Sequence, residues 1–272
     1  VNLVDAAGRR HAPAGDDARI VSLVPSITEL VCDLGLAARL VGRTGFCIHP
    51  HERVKRIAKV GGTKDVDLRR LRALAPTHVI VNVDENRRET VEEIARFVPN
   101  VIVTHPLGPL DNLALYRLIG GVFGREAEAE GLCERFERAY AACERAAGAF
   151  APKDVLYLIW RKPWMSVSRD TYISRTLALV NWHTAPETAA DRYPEIALDE
   201  ATLAGVDAVL ASSEPFPFRP RDVEALRALP ELRGRAVALI DAEMTSWYGS
   251  RAIAGLDYLP RFRRALESGR AP

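Results

Sequence analysis

Hydrophobic positions in this chain fall into short runs separated by amphipathic stretches. Residues 19–24, Arg-Ile-Val-Ser-Leu-Val, form a β-rich run stopped by Pro25. A short apolar run bounded by a breaker suits a strand buried on both faces. Ser26 with Glu29 three places later has the spacing of a capping box, which predicts a helix from Ser26 to Leu36 with Gly35 near its end. The alternation repeats with a strand at 40–43, a loop at 45–53, a short helix at 67–74 and a strand at 78–81. A helix at 89–97 carries Val91, Ile94 and Phe97 at three-residue spacing, and a strand follows at 101–103. This cadence predicts βα units around a mostly parallel sheet.

Strand signals stop between Leu110 and Phe150. From Gly124 to Ala149 the chain is charged and Ala-rich, with Leu132, Phe136 and Tyr140 at four-residue spacing. A helix of about 25 residues would span about 37 Å. A second alternating half opens at 154–160. Helices are predicted at 171–180, 199–204 and 221–228, strands at 206–211 and 236–240, and a closing helix at 250–265. The fold class is therefore α/β, with two lobes of mostly parallel sheet joined by one long backbone helix. The divisions are a lead-in or hairpin over 1–18, a lobe over 19–120, the backbone helix over 121–150 and a lobe over 151–272.

Composition narrows the function classes. The 272 residues hold 37 Lys plus Arg against 36 Asp plus Glu, a net charge of +1. That balance predicts no nucleic-acid partner, which calls for a clustered basic excess. No run approaches the roughly 18–20 apolar residues of a membrane span. Of four cysteines, Cys133 and Cys143 lie ten apart in one predicted helix, too far to bridge. Cys32 and Cys47 are left open, and no Cys-x-x-Cys occurs.

Ligands of open α/β sheets lie beyond the carboxyl ends of the strands. Those positions hold Pro25 and Ser26; Phe46, Cys47 and His49; Thr63 and Lys64; Asp84 and Glu85; Trp160; Glu214 and Phe216; and Glu243, Trp247, Tyr248 and Arg251. Tyr193 stands in a further loop. A single Trp at a sheet end ordinarily caps the core. Its recurrence in loops of both halves points to a concave, partly apolar binding site. A helix opening at Ser26 aims N–H groups at an anionic ligand group. Cys47 and His49 are two metal-ligand types where a site needs three or four, so His49 reads as structural or solvent-facing. Gly61-Gly62-Thr63 reads as a tight turn and Asp84-Glu85 as a solvated loop. No Gly-x-Ser-x-Gly or His-Glu-x-x-His motif occurs.

The stretch RIVSLVPSITELVCDLG, with the preceding Asp5–Arg9 turn and VGGTKDVDLRRLRALAPTHVIV, resembles the helical-backbone periplasmic binding proteins, receptors of importers for cobalamin, haem and ferric siderophores. The resemblance runs from about Asp5 to Leu266. It implies a non-enzymatic ABC-importer receptor that holds its ligand in the cleft between two lobes. The cobalamin branch is the most similar. Phe46, Tyr193 and Trp247-Tyr248 fall at its aromatic positions, whereas Thr63 and Asn82 replace others. FCIHP, VGGTK, YLIWRKPWM, SSEPFPF and EMTSWYGSR together match a subgroup whose ligand the resemblance does not give. The expected ligand is thus a cobalamin-like corrinoid, with no catalytic residue and no catalytic cofactor. Phe46, Trp160, Tyr193, Phe216, Trp247 and Tyr248 would supply walls. His49, Glu85, Glu214, Glu243 and Arg251 would supply polar contacts, with Pro25, Ser26 and Thr63 lining the site. His49 is the one candidate axial metal ligand.

The family also implies a surface Glu on each lobe for docking the permease. Here the first lobe reads Asp67-Leu68-Arg69-Arg70, while the second keeps Asp199-Glu200. The expected molecule is a periplasmic monomer; a cytoplasmic one stays open, because no leader stands before Val1. Arg43, Lys64, Arg161, Lys162 and Arg251 keep an anionic ferric siderophore open, and haem or a metal are further alternative ligands of the same fold. Convergence of His49, Cys47, Glu214 and Glu243 would instead indicate a metal-dependent hydrolase. A cytoplasmic small-molecule binder or a scaffold for a protein partner are the remaining readings.

Overall fold

The computed structural model describes residues 3–269. The chain divides into two compact units. The first runs to Pro106 and adds Leu110–Phe136 and Tyr248–Arg251; the second holds Leu107–Pro109, Glu137–Trp247 and the chain from Ala252 onward.

The first unit is built on β1 (Ile20–Ser22), α1 (Pro25–Asp33), β2 (Leu40–Arg43), α2 (His51–Val54), β3 (Ala58–Lys59), α3 (Leu68–Ala73), β4 (His78–Asn82), α4 (Arg88–Ala95) and β5 (Asn100–Thr104). Its five strands are all parallel, in the order β3-β2-β1-β4-β5. Every residue of β4 is buried, as a strand covered on both faces requires. Val21, Leu23, Val79, Val81 and Val101 pack with Leu71, Ile94 and Val98 in one core cluster. Before β1 the chain turns back so that Val4 bridges Arg10. Asp5 fastens this turn to β5, accepting from the amides of Ala7, Arg9 and Val103 at 2.9–3.0 Å while pairing with His11 at 2.9 Å.

The start of α1 corrects the expected capping box. Val24 is the N-cap and Pro25 the first helical residue, so Ser26 lies inside the first turn. Proline has its φ fixed for that position and no N–H to lose there. Glu29 is turned to Arg251 instead, accepting a two-pronged ion pair at 2.6 and 2.7 Å. Gly35 follows the helix with φ +77°, the left-handed conformation that ends helices.

The predicted helix over 121–150 is shorter. α5 (Asp111–Val122) ends first, Gly124 turns at φ +66°, and α6 (Glu126–Ala147) begins afresh. α6 starts in the first unit and ends in the second.

The second unit contains β6 (Lys153–Leu158), β7 (Trp164–Met165), α7 (Tyr172–Ala178), β8 (Trp182–Ala185), β9 (Glu195–Ile196), α8 (Glu200–Leu203), β10 (Val206–Ser212), α9 (Pro220–Arg227), β11 (Ala236–Ile240), α10 (Ala242–Ser246) and α11 (Arg251–Glu267), of which Arg251 alone belongs to the first unit. Four strands are parallel in the order β11-β10-β6-β8, and β7 and β9 form a separate antiparallel pair. Leu156, Leu158, Val209, Ala211 and Val237 meet Leu203, Phe218, Val223 and Leu226 in the core. Tyr157 is fully buried and its hydroxyl sits 3.0 Å from Ser212 Oγ and 2.8 Å from Thr245 Oγ1. Arg263, with no exposed surface, lies over the rings of Phe150 and Trp182 and donates to the carbonyls of Val180 and Ala151.

The α/β class, the parallel sheets and the long helix agree with the hydrophobic pattern. No described helix is long and apolar enough to cross a membrane. All four cysteines are buried and none is in a disulfide, and burial pushes the thiols of Cys32 and Cys143 up to about 11.

Candidate functional site

Each parallel sheet has one place where strand order reverses, and its two carboxyl ends there open a crevice. In the first unit the reversal lies between β1 and β4. The first turn of α1, which follows β1, supplies Pro25 and Ser26, and the loop after β4 supplies Asp84 and Glu85. Asn86 ties these loops together. Its Oδ1 accepts from Asn82 N at 2.9 Å, and its Nδ2 donates to Thr63 O at 2.9 Å and Leu23 O at 3.4 Å. The sequence places Asn86 with Asp84 and Glu85 in this strand-end loop but gives it no role, because an Asn after a strand reads as a turn residue.

The segment Tyr248–Arg251 occupies this crevice. Tyr248 is 7 % exposed and its hydroxyl donates to Glu85 Oε1 at 2.6 Å. Burial pushes its phenol well above the usual range and the Glu85 charge adds to this, so it stays a proton donor at neutral pH. The Ser26 hydroxyl also faces this phenol. Gly249 donates to Asn112 Oδ1 at 2.6 Å and accepts from Tyr116 Oη at 2.8 Å. With φ +82° and only 3.2 Å between an added Cβ and Ser26 O, glycine is required there. Asp84-Glu85 is thus no solvated loop: Glu85 is half-buried and bonded to Tyr248.

Beyond the crevice, apolar side chains are left uncovered. Phe46 is 63 % exposed, Ile48 47 % and Val83 51 %. Cys47 between them points inward, its Sγ 3.1 Å from Thr44 Oγ1, so the Phe46-Cys47-Ile48 alternation follows an inside–outside turn. His49 and Thr63 are half-buried in the same unit. Lys64 Nζ donates to Asp84 O at 2.7 Å.

In the second unit the reversal lies between β6 and β10. Trp160 follows β6 and Phe216 follows β10, and their rings meet edge to face at 5.6 Å. Phe216 lies 4.7 Å from Phe218, which stacks on Trp164 at 6.3 Å. The Phe216 amide donates to Ile159 O, fixing the two loops to each other. Arg161 spans this cluster, 5.9 Å from Trp164 and 6.0 Å from Phe216, and is anchored to Asp222 at 2.8 Å. Trp247 is 8 % exposed and its Nε1 donates to Glu214 Oε2 at 3.0 Å. The sequence places Trp164 and Phe218 in these strand-end loops without giving either a role in the site, and it does not mark Asp222.

The geometry therefore gathers Ser26, Glu85 and Tyr248 in one unit and Trp160, Glu214, Phe216 and Trp247 in the other. Trp247 and Tyr248 are buried and hold loops in place. Arg251 is committed to Glu29. Tyr193 is half-buried in the loop before β9, with the Arg192 guanidinium 6.0 Å from its ring. Glu243 lies in the first turn of α10, its amide donating to Asp241. Asp199 caps α8 by accepting from Thr202 N, and both Asp199 and Glu200 are exposed. Among the described residues no group of three His, Cys, Asp or Glu is placed to hold a metal ion.

The family model described as "Periplasmic binding protein" matches residues 20–238. The vitamin B12-binding protein of Pectobacterium atrosepticum is 22 % identical over 199 residues, covering 71 % of this chain and 70 % of that one. Among solved structures, the periplasmic vitamin B12-binding protein of Vibrio cholerae is similar with a TM-score of 0.78 at 13 % identity, covering 92 % of this chain and 97 % of that one. A periplasmic haem-binding protein from Roseiflexus sp. RS-1 in apo form is similar with a TM-score of 0.79 at 23 % identity, covering 92 % and 99 %.

Proposed function

The chain belongs to the periplasmic binding protein family, and from that premise we propose that it is the solute receptor of an ABC-type importer whose cargo is a flat macrocycle, a cobalamin-like corrinoid. Proteins of this family bind small molecules and deliver them to ABC permeases. The reading places it in the periplasm as a monomer without catalytic residues.

One observation carries the choice of cargo. Of the five exposed large hydrophobic residues among those described, Phe46, Ile48, Val83 and Trp160 all stand in loops directly following a strand of a parallel sheet. Scattered exposure would mean nothing, but exposure concentrated where such sheets take ligands has a use. A ligand with broad apolar faces removes that surface from water at roughly 25 cal/mol per Å². Glu85 and Glu214 stand beside these residues as acceptors for a ligand's amide or hydroxyl groups. The curated vitamin B12-binding relatives support the corrinoid.

A haem receptor is the second reading. It is favoured by the haem-binding structural neighbour and by His49, an imidazole three residues from Phe46, since imidazole suits iron as well as cobalt. In either case His49 would serve as an axial ligand to metal that arrives within the cargo.

The test is a visible-absorbance and thermal-shift titration of the full chain with cobalamin, haemin and a ferric siderophore in parallel. Saturable binding of cobalamin with a raised melting temperature supports the corrinoid reading. A response to haemin alone replaces it with the haem reading, and loss of a Soret shift in His49→Ala assigns the axial ligand. No response to any of the three overturns the proposal.

A further inference from the structure

The outer flank of the first unit carries a hollow that the solute reading leaves unused. It has a volume of about 340 Å³ and is lined by Leu68, Arg69 and Arg72 of α3 and by Glu93, Arg96 and Phe97 at the end of α4. Leu68 and Phe97 make an apolar floor. The Arg72 guanidinium lies 4.4 Å from the centroid of the Phe97 ring, which holds it flat along one wall. Arg69, Arg72 and Arg96 are all exposed. None of the three has a carboxylate within ion-pair distance among the described residues. Their neighbour Arg70 is paired with Asp67 at 3.2 Å.

Three guanidiniums thus face one carboxylate, that of Glu93, in a protein whose total charge is only +1. Arginine keeps its charge at any physiological pH and presents a planar fork that matches a carboxylate in two-pronged fashion. Solvated, exposed cations pair weakly with a lone small ion. Several carboxylates on one chain gain from being held together, each after the first binding at high effective concentration. The apolar floor between the arginines adds a place for an aliphatic side chain.

We propose that this hollow is a docking site for an acidic segment of a protein partner, one in which Asp or Glu residues flank an apolar residue. The α3–α4 flank lies outside the strand-end loops, so the site is independent of which solute the protein carries.

The experiment is fluorescence anisotropy of the full chain with a fluorescein-labelled peptide of alternating Glu and Leu. A Lys-for-Glu peptide of the same length and free citrate serve as comparisons. The expected result is saturable binding of the acidic peptide that weakens at least tenfold between about 50 and about 300 mM salt. Arg69→Glu with Arg72→Glu should weaken it at least tenfold, whereas Arg72→Lys should weaken it less. These exposed substitutions should leave the response to cobalamin or haemin unchanged and, with the Arg72 contact to Phe97 lost, lower the melting temperature only slightly, which separates this proposal from the solute reading. Absence of saturable binding overturns it, as does binding that the double reversal leaves intact. Competition by citrate at the same concentration as the peptide overturns it in favour of a small-anion site.

Discussion

His78 begins β4 with 6 % of its surface exposed, its ring edge-on to Phe123 at 5.1 Å and its Nδ1 2.9 Å from Thr77 Oγ1. Burial, reinforced by the nearby His11, pushes its pKa down to about 4 from an ordinary 6.5. Between those values the unfolded chain binds a proton that the folded protein refuses. Stability therefore rises with pH through that window and is lost as pH falls from 6.5 toward 4, by about 2–3 kcal/mol. Urea unfolding at pH 7 and pH 4.5 should show the loss, and His78→Phe should flatten it. An identical pH dependence in the variant would place the effect elsewhere. Single residues are where sequence reading fails most. Arg263 sits near the end of a helix where an arginine reads as surface, yet it is wholly buried because two helix-end and loop carbonyls need its donors. Ser26 reads as a cap, but Pro25 takes the first helical position and the helix starts before Ser26, with Val24 as the N-cap.

Helix α7 shows what a local signal can do when nothing displaces it. The sequence predicts a helix from Thr171, and Thr171 is its N-cap, with Oγ1 accepting from Ser174 N at 3.2 Å and donating to Ser168 O at 2.8 Å. The side chain is fully buried, so water cannot replace either bond. Thr171→Val keeps the volume and removes both partners, which should cost about 1–2 kcal/mol in urea unfolding. A variant as stable as the parent would show that the cap is dispensable. The long elements of each sheet were legible for the same reason: β4, β10 and β11 each carry an apolar stretch, over 79–81, 208–211 and 236–240, most of which is buried. The two-residue strands β3, β7 and β9 and the four-residue α2 are too short to carry a period and exist through their neighbours. β8 was missed because Trp182-His183-Thr184-Ala185 mixes polar and apolar side chains, and its pairing with β6 decides its state. α5 carries Gly120-Gly121 near its end; a Cβ on Gly120 would stand 2.5 Å from Ala129 Cβ, so close packing and not helix propensity explains that glycine.

At the scale of the molecule, both sheets reverse strand order once, but the two crevices are used differently. In the first unit the chain returns from residue 248 to 251 to fill its own crevice, and Tyr248 donates to one oxygen of the Glu85 carboxylate, Oε1. In the same unit Phe46, Ile48 and Val83 stay exposed. In the second unit the crevice holds Trp160 against Phe216, and Trp160 keeps 39 % of its surface exposed. The sequence identified the strand-end loops and most of these aromatics. It did not distinguish Trp247 and Tyr248, which are buried braces, from Phe46 and Trp160, because only packing separates a ring that caps a core from one left uncovered. That separation makes a prediction. Phe46→Ala removes a ring that is mostly uncovered in the ligand-free protein and should change the stability of the free chain by no more than about 0.5 kcal/mol, whereas Trp160→Ala also loses the edge-to-face contact with Phe216 and should cost about 1 kcal/mol. Under the receptor reading, each should also weaken the macrocycle that binds, cobalamin or haemin, by about tenfold or more, as loss of a buried aromatic anchor does. Trp247→Ala should do the reverse first, lowering free-chain stability by about 3 kcal/mol through its buried ring and its bond to Glu214. Unfolding curves and ligand titrations on the three variants would check this. If Phe46→Ala and Trp160→Ala bind the macrocycle as tightly as the parent, the uncovered rings are not the ligand-bearing surface.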